Sequence, residues 1–215
     1  TWGWEGMING DILRLGNGLR WNLGFTASQT DSEVVYLPAN VTEYYNAYTW
    51  NSGNIRNGIM LGYPVTTITG RAWLRNDAGD ILISPTTGTP VLNANWTVIG
   101  NREPKLRYGI TSALSYKGLR LSAMFSGRYK ATVVNGTKRL MMQEGLSWES
   151  VTMRESSSYV FEGVLQDGNE NSDNPTPNNI AVDMNLFNTT YTGGDEDWVE
   201  EDVNYLRLQE LRLSY

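Results

Sequence analysis

The sequence contains no cysteine and no histidine among its 215 residues. Without cysteine there is no disulfide framework, no thiolate metal site and no cysteine nucleophile. Without histidine the chain lacks the usual general base, the usual zinc ligand and every Ser–His pair. The net charge of −6 disfavours a protein that neutralises nucleic-acid phosphates. These absences predict a protein that is not an enzyme, holds no metal or other cofactor and binds no nucleic acid.

Long apolar runs and helical periodicity are also missing. No segment approaches the roughly 18 apolar residues of a transmembrane helix. Apolar residues instead recur at every second position over much of the chain, which predicts an all-β fold.

The aromatic residues are unevenly distributed, with 8 Trp and 12 Tyr against 4 Phe. Trp and Tyr have an apolar body and a polar edge, so they suit sugar platforms, interfaces and membrane girdles.

The clearest alternation covers residues 19–28 and predicts a strand with one apolar and one polar face. If this strand crosses a bilayer, its apolar face lies against lipid and its polar face lines a lumen. The residues predicted to face lipid are Leu19, Trp21, Leu23 and Phe25, and those predicted to face the lumen are Arg20, Asn22 and Thr26.

Residues 106–116 and 119–129 predict a long hairpin, with Lys117-Gly118 as its turn. Each arm has about the 9–11 residues that a tilted strand needs to cross a bilayer. The apolar faces of the arms add Leu114, Leu121 and Phe125 to the residues predicted to face lipid. Arg107, Arg120 and Arg128 join Arg20 on the polar face, where they would meet a plug or anionic solutes. Alternation alone fits a long hairpin in a soluble sandwich equally well.

Two long polar segments, 35–104 and 165–202, separate these strands and are predicted to be large loops. Large loops at one end and minimal turns at the other are typical of outer-membrane barrels. Near the carboxyl terminus the alternation slips by one position at Gln209-Glu210, which predicts a β-bulge.

Six short motifs follow one another along almost the whole length of the chain. They are WEG at 4–6 with WNL at 21–23, GYPVTTITG at 62–70, DAGDILI at 77–83, IGNREP at 99–104 with YG at 108–109, YK at 116–117 with LRLS at 119–122, and YLRL at 205–208. In these motifs and in their order the chain resembles the barrel of SusC/RagA-family TonB-dependent transporters. Arg102, Lys105 and Leu119 depart from the usual family residues at surface positions.

The resemblance implies that residues 1–215 are antiparallel transmembrane strands with long extracellular loops, part of a barrel of about 22 strands around a plug. The plug, the segment that engages TonB and the final strands are expected to lie outside this chain. The resemblance further implies a bacterial outer-membrane location in contact with lipid. It also implies a SusD-like surface lipoprotein as partner, and import of oligosaccharides or peptides driven through TonB.

Two other functions fit parts of the pattern. A secreted β-sandwich carbohydrate-binding module could use tryptophans in loops as stacking platforms. A small complete barrel could act as an adhesin or membrane anchor. In any of these proteins, Trp73, Trp96 and Trp148 are candidate substrate-binding residues, together with Trp50 and Trp198. Ordinary packing of the loops explains the same tryptophans.

Two acidic segments suggest other sites. Asp167, Asn169, Asn171 and Asp173 alternate like the start of a calcium loop, but the glycine at the sixth position and the closing glutamate are missing. The segment is therefore predicted to be a solvated polar loop without a metal. The carboxylates at 195–197 and 200–202 could act as an acid–base pair. We expect them to stay ionised in water and to have no catalytic role.

Overall fold

The computed structural model describes residues 1–48 and 54–215. In these two ranges the chain forms eleven β-strands and three short α-helices, so β-structure dominates as predicted. The strands are β1 (Trp2–Arg14), β2 (Arg20–Asp31), β3 (Tyr44–Tyr48), β4 (Arg56–Ile59), β5 (Thr67–Gly70), β6 (Leu82–Ile83), β7 (Thr97–Asn101), β8 (Leu106–Tyr116), β9 (Leu119–Val134), β10 (Val164–Leu165) and β11 (Val199–Ser214). The helices are α1 (Gly136–Gln143), α2 (Trp148–Arg154) and α3 (Met184–Tyr191), and a 3-10 turn covers Glu196–Trp198.

The largest element is a five-stranded antiparallel sheet in the order β1-β2-β8-β9-β11. Its strands have 11 to 16 residues, long enough to cross a bilayer. Within the described residues the sheet is open, because β1 and β11 are its two edges. No helix in those ranges is long and apolar enough to span a membrane.

Both hairpin turns of this sheet lie at the same end. Lys117 and Gly118 form the two-residue turn between β8 and β9, with φ of 47° and 91°, which confirms the predicted hairpin. Both central residues of such a turn need positive φ, and glycine adopts it without strain. Between β1 and β2, the N–H of Leu15 donates to the carbonyl of Leu19 at 2.9 Å and closes a short loop. Leu19 therefore lies in this turn, just before the strand that the alternation predicted it to start.

A β-bulge in each edge strand absorbs a one-residue slip in the sequence, so apolar side chains stay on the same face of the sheet along the whole strand. The register of β11 against β9 shifts between Leu208 and Glu210, so the bulge predicted from the sequence is confirmed. A similar shift between Asp11 and Leu13 occurs where β1 pairs with β2. Each bulge adds one residue to one strand, and the residues beyond it return to the same faces as before.

At the end away from the turns, residues 32–48, 54–105 and 135–198 fold into a second layer, which we call the cap. It contains a four-stranded sheet in the order β3-β4-β5-β7, a parallel pair of β6 with β10, and the three helices. The sequence predicted long loops in most of this region. The helices have only seven or eight residues, so each shows barely two turns of helical periodicity.

The principal hydrophobic core lies inside the cap. Phe187 is at its centre, with ring centroids 4.6 Å from Tyr159, 5.4 Å from Phe161 and 5.2 Å from Tyr191. This clustering explains why α3 is stable despite its length, because burial of an apolar side chain stabilises a short helix more than propensity does. The buried members of the core are Ile55, Ile68, Ile83, Met142, Phe161, Val182, Phe187 and Trp198.

Candidate functional site

The five-stranded sheet has one apolar and one polar face. Residues directly opposite each other in an antiparallel sheet project to the same side. The register therefore shows which residues of neighbouring strands form a row, that is, a line of side chains across the sheet on one face. One apolar row crosses all five strands through Leu13, Trp21, Leu114, Leu121 and Leu213. Another consists of Ile8, Phe25, Ile110, Phe125 and Leu208.

The apolar face is uncovered over much of its area. Phe25 is 45% exposed and Leu211 is 64% exposed, although both lie in the middle of long strands. The polar edge of Trp21 is satisfied on this face, since its indole N–H donates to the hydroxyl of Ser112 at 3.0 Å. An exposed apolar surface of this extent marks a contact with lipid or with another protein.

Six of the seven residues predicted to face lipid lie on this face of the sheet. Leu19 precedes β2 in the turn and is half-buried. That these side chains contact lipid stays a prediction. The six are Trp21, Leu23, Phe25, Leu114, Leu121 and Phe125.

The polar face carries a strong positive charge. Its seven arginines outnumber its three carboxylates, although the whole chain has a net charge of −6. Arg14 lies directly opposite Arg20, and Arg107 directly opposite Arg128. The arginines are Arg14, Arg20, Arg107, Arg120, Arg128, Arg207 and Arg212, and the carboxylates are Glu5, Asp11 and Glu210.

A groove runs along this polar face. Its main part is a hollow of about 690 Å³ whose floor includes Gly24 and Gly109 and whose walls include Met7 and Met124. A side chain at Gly24 would clash, because the hydroxyl of Thr111 occupies the place where it would stand. A second hollow of about 240 Å³ shares Met124 with the first and continues the groove towards the turns.

In the cap, Asp195 is buried and Glu196 and Asp197 are half-buried, so the prediction that the carboxylates at 195–197 are solvated was wrong. Asp195 is 1% exposed, and its carboxylate accepts hydrogen bonds from the backbone N–H groups of Arg71 at 2.8 Å and Asn54 at 3.4 Å. Asp197 accepts from the indole N–H of Trp73 at 2.9 Å. Burial raises the pKa of both carboxyl groups because it removes the charged form from water. The sequence did not reveal this, because the partners are more than a hundred residues away.

The candidate tryptophans occupy different environments. Trp73 is 7% exposed and is held by its bond to Asp197. Trp96 is half-buried, with the guanidinium of Arg56 only 3.5 Å from its ring centroid. Trp148 is 80% exposed at the start of α2. Trp198 is buried in the core, and Trp50 lies outside the described residues.

The stacked arginine at Trp96 is a feature that sequence analysis missed. Arg56 forms an ion pair with Glu43, and both side chains are largely buried. The guanidinium also lies 4.1 Å from the ring centroid of Tyr45, so it packs between two aromatic rings. Glu43 further accepts a hydrogen bond from the hydroxyl of Thr69 at 2.6 Å. These contacts fix the orientation of Trp96 on the cap sheet.

The loop with alternating Asp and Asn is fixed by internal contacts. Asp167 accepts from the backbone N–H of Asn169 at 3.0 Å, and a hydrogen bond from the side chain of Thr176 lowers the pKa of Asp167. Asn171 accepts from the backbone N–H of Asp77 at 2.9 Å, which docks the loop on the neighbouring turn. In residues 1–48 and 54–215, no three His, Cys, Asp or Glu side chains group together as metal ligands would. The absence of a metal stays a prediction.

Comparison with known proteins gives a match at the level of fold. No protein-family model matches the sequence, and no curated protein matches it. The structure superposes on part of the solved structure of the RagAB peptide transporter with a TM-score of 0.54 and 16% sequence identity. The match covers 98% of this chain and 22% of the transporter chain. The five-stranded sheet and its cap therefore have the fold of a portion of a transporter chain.

Proposed function

We propose that this chain forms part of the barrel wall of an outer-membrane, TonB-dependent importer for oligosaccharides or peptides. The observation that carries the proposal is the uncovered apolar face on strands of membrane-crossing length. Lipid is the environment that stabilises such a face, and the opposite polar face then lines the lumen. The fold likeness to the RagAB peptide transporter supports the same assignment.

The edges of the sheet support a larger barrel. β1 and β11 have 13 and 16 residues, and each presents one side without a pairing strand among the described residues. Backbone groups in the hydrocarbon region must be hydrogen-bonded within the protein, so lipid-spanning sheets close into barrels. Further strands therefore pair with both edges, and a barrel of about 22 strands around a plug satisfies this requirement.

The two ends of the sheet support an orientation in the membrane. Short turns of outer-membrane barrels lie in the periplasm and large insertions lie outside the cell. The turn at Lys117-Gly118 is then periplasmic, and the cap is extracellular. In this orientation the cap is the surface that meets a SusD-like lipoprotein and incoming substrate. TonB engages a segment of the protein outside this chain.

A β-sandwich carbohydrate-binding module fits the structure less well. Such a module buries one face of each sheet against the other, but here the apolar face of the long sheet is exposed.

We also propose that the chain has no enzymatic activity. The carboxylates of buried Asp195 and half-buried Asp197 are engaged by N–H donors of the protein, which leaves them poorly placed to exchange protons with a substrate.

Uptake by intact cells tests the importer function. Cells with and without the gene are given labelled peptides and labelled oligosaccharides, and accumulation is measured before and after an uncoupler collapses the proton-motive force. We expect one class of label to accumulate only with the gene present and only in energised cells. Equal accumulation in the deletion strain, or accumulation unaffected by the uncoupler, would contradict the proposal.

A further inference from the structure

The apolar face of the long sheet carries an uncharged band with polar limits only at the two ends of its strands. In β8 and β9, which lie wholly within the described residues, the side chains on this face are uncharged from Leu106 to Tyr116 and from Leu119 to Tyr129. The core of a protein–protein interface is instead surrounded by a polar rim. The shape of the band therefore favours contact with lipid over contact with another protein.

A tyrosine and a lysine are neighbours at each end of the hairpin formed by β8 and β9. At the turn end, the ammonium of Lys117 lies 5.2 Å from the ring centroid of Tyr116. At the cap end, the ammonium of Lys130 lies 5.9 Å from the ring centroid of Tyr129. Both tyrosine side chains are exposed on the apolar face. The hairpin thus ends in the same chemistry on both sides, an exposed aromatic ring with a cation beside it.

The backbone of both lysines is unusual. Lys117 has a φ of 47° and Lys130 a φ of 53°, a left-handed conformation that residues other than glycine rarely adopt. In a regular strand the residue after a tyrosine points to the opposite face of the sheet. The left-handed backbone instead allows each ammonium to reach the ring on the apolar face.

Neither ammonium is neutralised inside the protein. Lys130 pairs with Asp202 at 3.4 Å, but both side chains are exposed, and such a pair contributes little in water. Lys117 forms no ion pair with any described residue. Both ammonium groups are therefore accessible to an anionic group at the edge of the uncharged band.

The spacing of the two tyrosines matches a bilayer. Tyr129 is directly opposite Leu106, so the two tyrosines lie at opposite ends of the 11-residue strand β8. The steps from Leu106 to Tyr116 correspond to about 34 Å along an antiparallel strand. A strand tilt of about 35–45° reduces this length to about 24–28 Å along the bilayer normal, close to the apolar band of about 25 Å in outer-membrane barrels.

We propose that this hairpin binds the phosphates of lipid headgroups in both leaflets through the tyrosine–lysine pair at each end. Each ring lies where the hydrocarbon meets the headgroups, and each ammonium extends from it to a lipid phosphate. The pair of Tyr116 and Lys117 binds in the periplasmic leaflet, and that of Tyr129 and Lys130 in the outer leaflet. The inference rests on the proposed function in that the apolar face contacts lipid.

Nitroxide labels measure the depth of the hairpin in phosphatidylcholine vesicles. Leu106→Cys and Leu119→Cys place labels directly opposite the two tyrosines, and Phe125→Cys places one between them on the same face. We expect the ratio of relaxation by oxygen to relaxation by a nickel chelate to be highest at Phe125 and low at both other positions. A ratio at either end as high as at Phe125 would overturn the proposal, because that tyrosine would then lie inside the hydrocarbon.

Lys117→Gln tests the phosphate contact at the turn end. A bimane label on Leu119→Cys is quenched by nearby brominated lipid, and brominated phosphatidylglycerol compared with brominated phosphatidylcholine gives the local preference for an anionic headgroup. Lys117→Gln should lower this preference about fivefold, the effect of one lysine near an anionic surface, whereas Lys117→Arg should keep it. The matched control is Arg212→Gln, which removes the same charge from the polar face of the same sheet and should leave the preference unchanged.

Three results of the quenching experiment would overturn the proposal. The first is an unchanged preference in Lys117→Gln. The second is an equal loss in Arg212→Gln, which would show general attraction by charge. The third is loss of the preference in inorganic phosphate but not in chloride of equal ionic strength, which would show a site for the free ion.

The outcomes also separate this inference from the proposed function. Energy-dependent uptake that requires the gene, with a protein whose headgroup preference does not depend on Lys117, would overturn the headgroup assignment alone. The expected depth profile and variant pattern, in cells whose uptake does not depend on the gene, would overturn the importer function and leave the headgroup assignment standing.

Discussion

At Asp197, a carboxylate inside the cap accepts a hydrogen bond from the indole N–H of Trp73. Burial raises the pKa of Asp197, and the nearby charge of Glu196 acts in the same direction, while the Trp73 bond and Arg75 oppose it. The folded protein therefore binds a proton at this position more tightly than the unfolded chain does. Its contribution to stability is fully present below the ordinary pKa of 3.8 and is lost as the pH rises through the folded pKa.

Asp197→Asn should therefore raise the free energy of unfolding at neutral pH. Asparagine keeps an oxygen that can accept from Trp73, and it removes the charge that burial disfavours. The difference from the wild type should shrink as the pH falls below 3.8, where Asp197 itself is protonated. Urea titrations in micelles, at neutral pH and at a pH below 3.8, measure the difference in unfolding free energy between the variant and the wild type.

The matched control for this substitution is Asp173→Asn, which removes a carboxylate from an exposed position in the cap. Its unfolding free energy should differ little from that of the wild type at either pH. An Asp197→Asn protein that is less stable than the wild type at neutral pH would contradict the account of this site.

Among the elements, β2 gives the clearest test of the two faces. Leu23 lies in an apolar row between Gly10 and Ser112, near the middle of the sheet. Leu23→Arg should cost roughly 2–4 kcal/mol of stability if this row lies near the bilayer midplane, because a guanidinium is then placed in hydrocarbon. A folding titration into lipid vesicles provides the measurement.

Thr26→Arg is the control for this substitution, since Thr26 lies on the opposite face of the same strand. A surface change of that kind typically shifts stability by less than about 0.5 kcal/mol. If both arginine substitutions lower the free energy of unfolding by the same amount, the claim that one face of the sheet contacts lipid and the other contacts water is contradicted.

The long hairpins could be predicted from the sequence because their signals are local. Alternation at every second residue, the turn at Lys117-Gly118 and the phase slip at Gln209 all depend on neighbours in the chain. The start of β2 was placed slightly early, since Leu19 continues the alternation although its carbonyl closes the preceding turn. Periodicity reports which face a residue occupies, and it does not report where pairing begins.

The cap could not be predicted in the same way. Its short helices are stabilised by burial of residues such as Phe187 in a core assembled from distant segments. The burial of Asp195 depends on backbone donors at Asn54 and Arg71. The groove on the polar face was likewise not predicted, because the sequence shows alternating arginines and not the register that places Arg107 opposite Arg128.

At the scale of the whole molecule, charge is separated between the two parts of the fold. The polar face of the long sheet has seven arginines against three carboxylates, so the net charge of −6 arises from acidic residues elsewhere, mainly in the cap. An acidic cap next to the basic polar face creates an electrostatic potential that changes sign along the long sheet. In the proposed orientation, an anionic solute is repelled by the cap and attracted to the wall below it.

The central claim is that the apolar face contacts lipid and the polar face contacts water. Phe25→Cys and Thr26→Cys place nitroxide labels on adjacent residues that point to opposite faces, in a chain with no other cysteine. In lipid vesicles, electron paramagnetic resonance should show the label at Phe25 relaxed by oxygen and shielded from a water-soluble nickel chelate. The label at Thr26 should show the reverse. Equal access of the nickel chelate to both positions, or shielding of Thr26 with exposure of Phe25, would contradict the account.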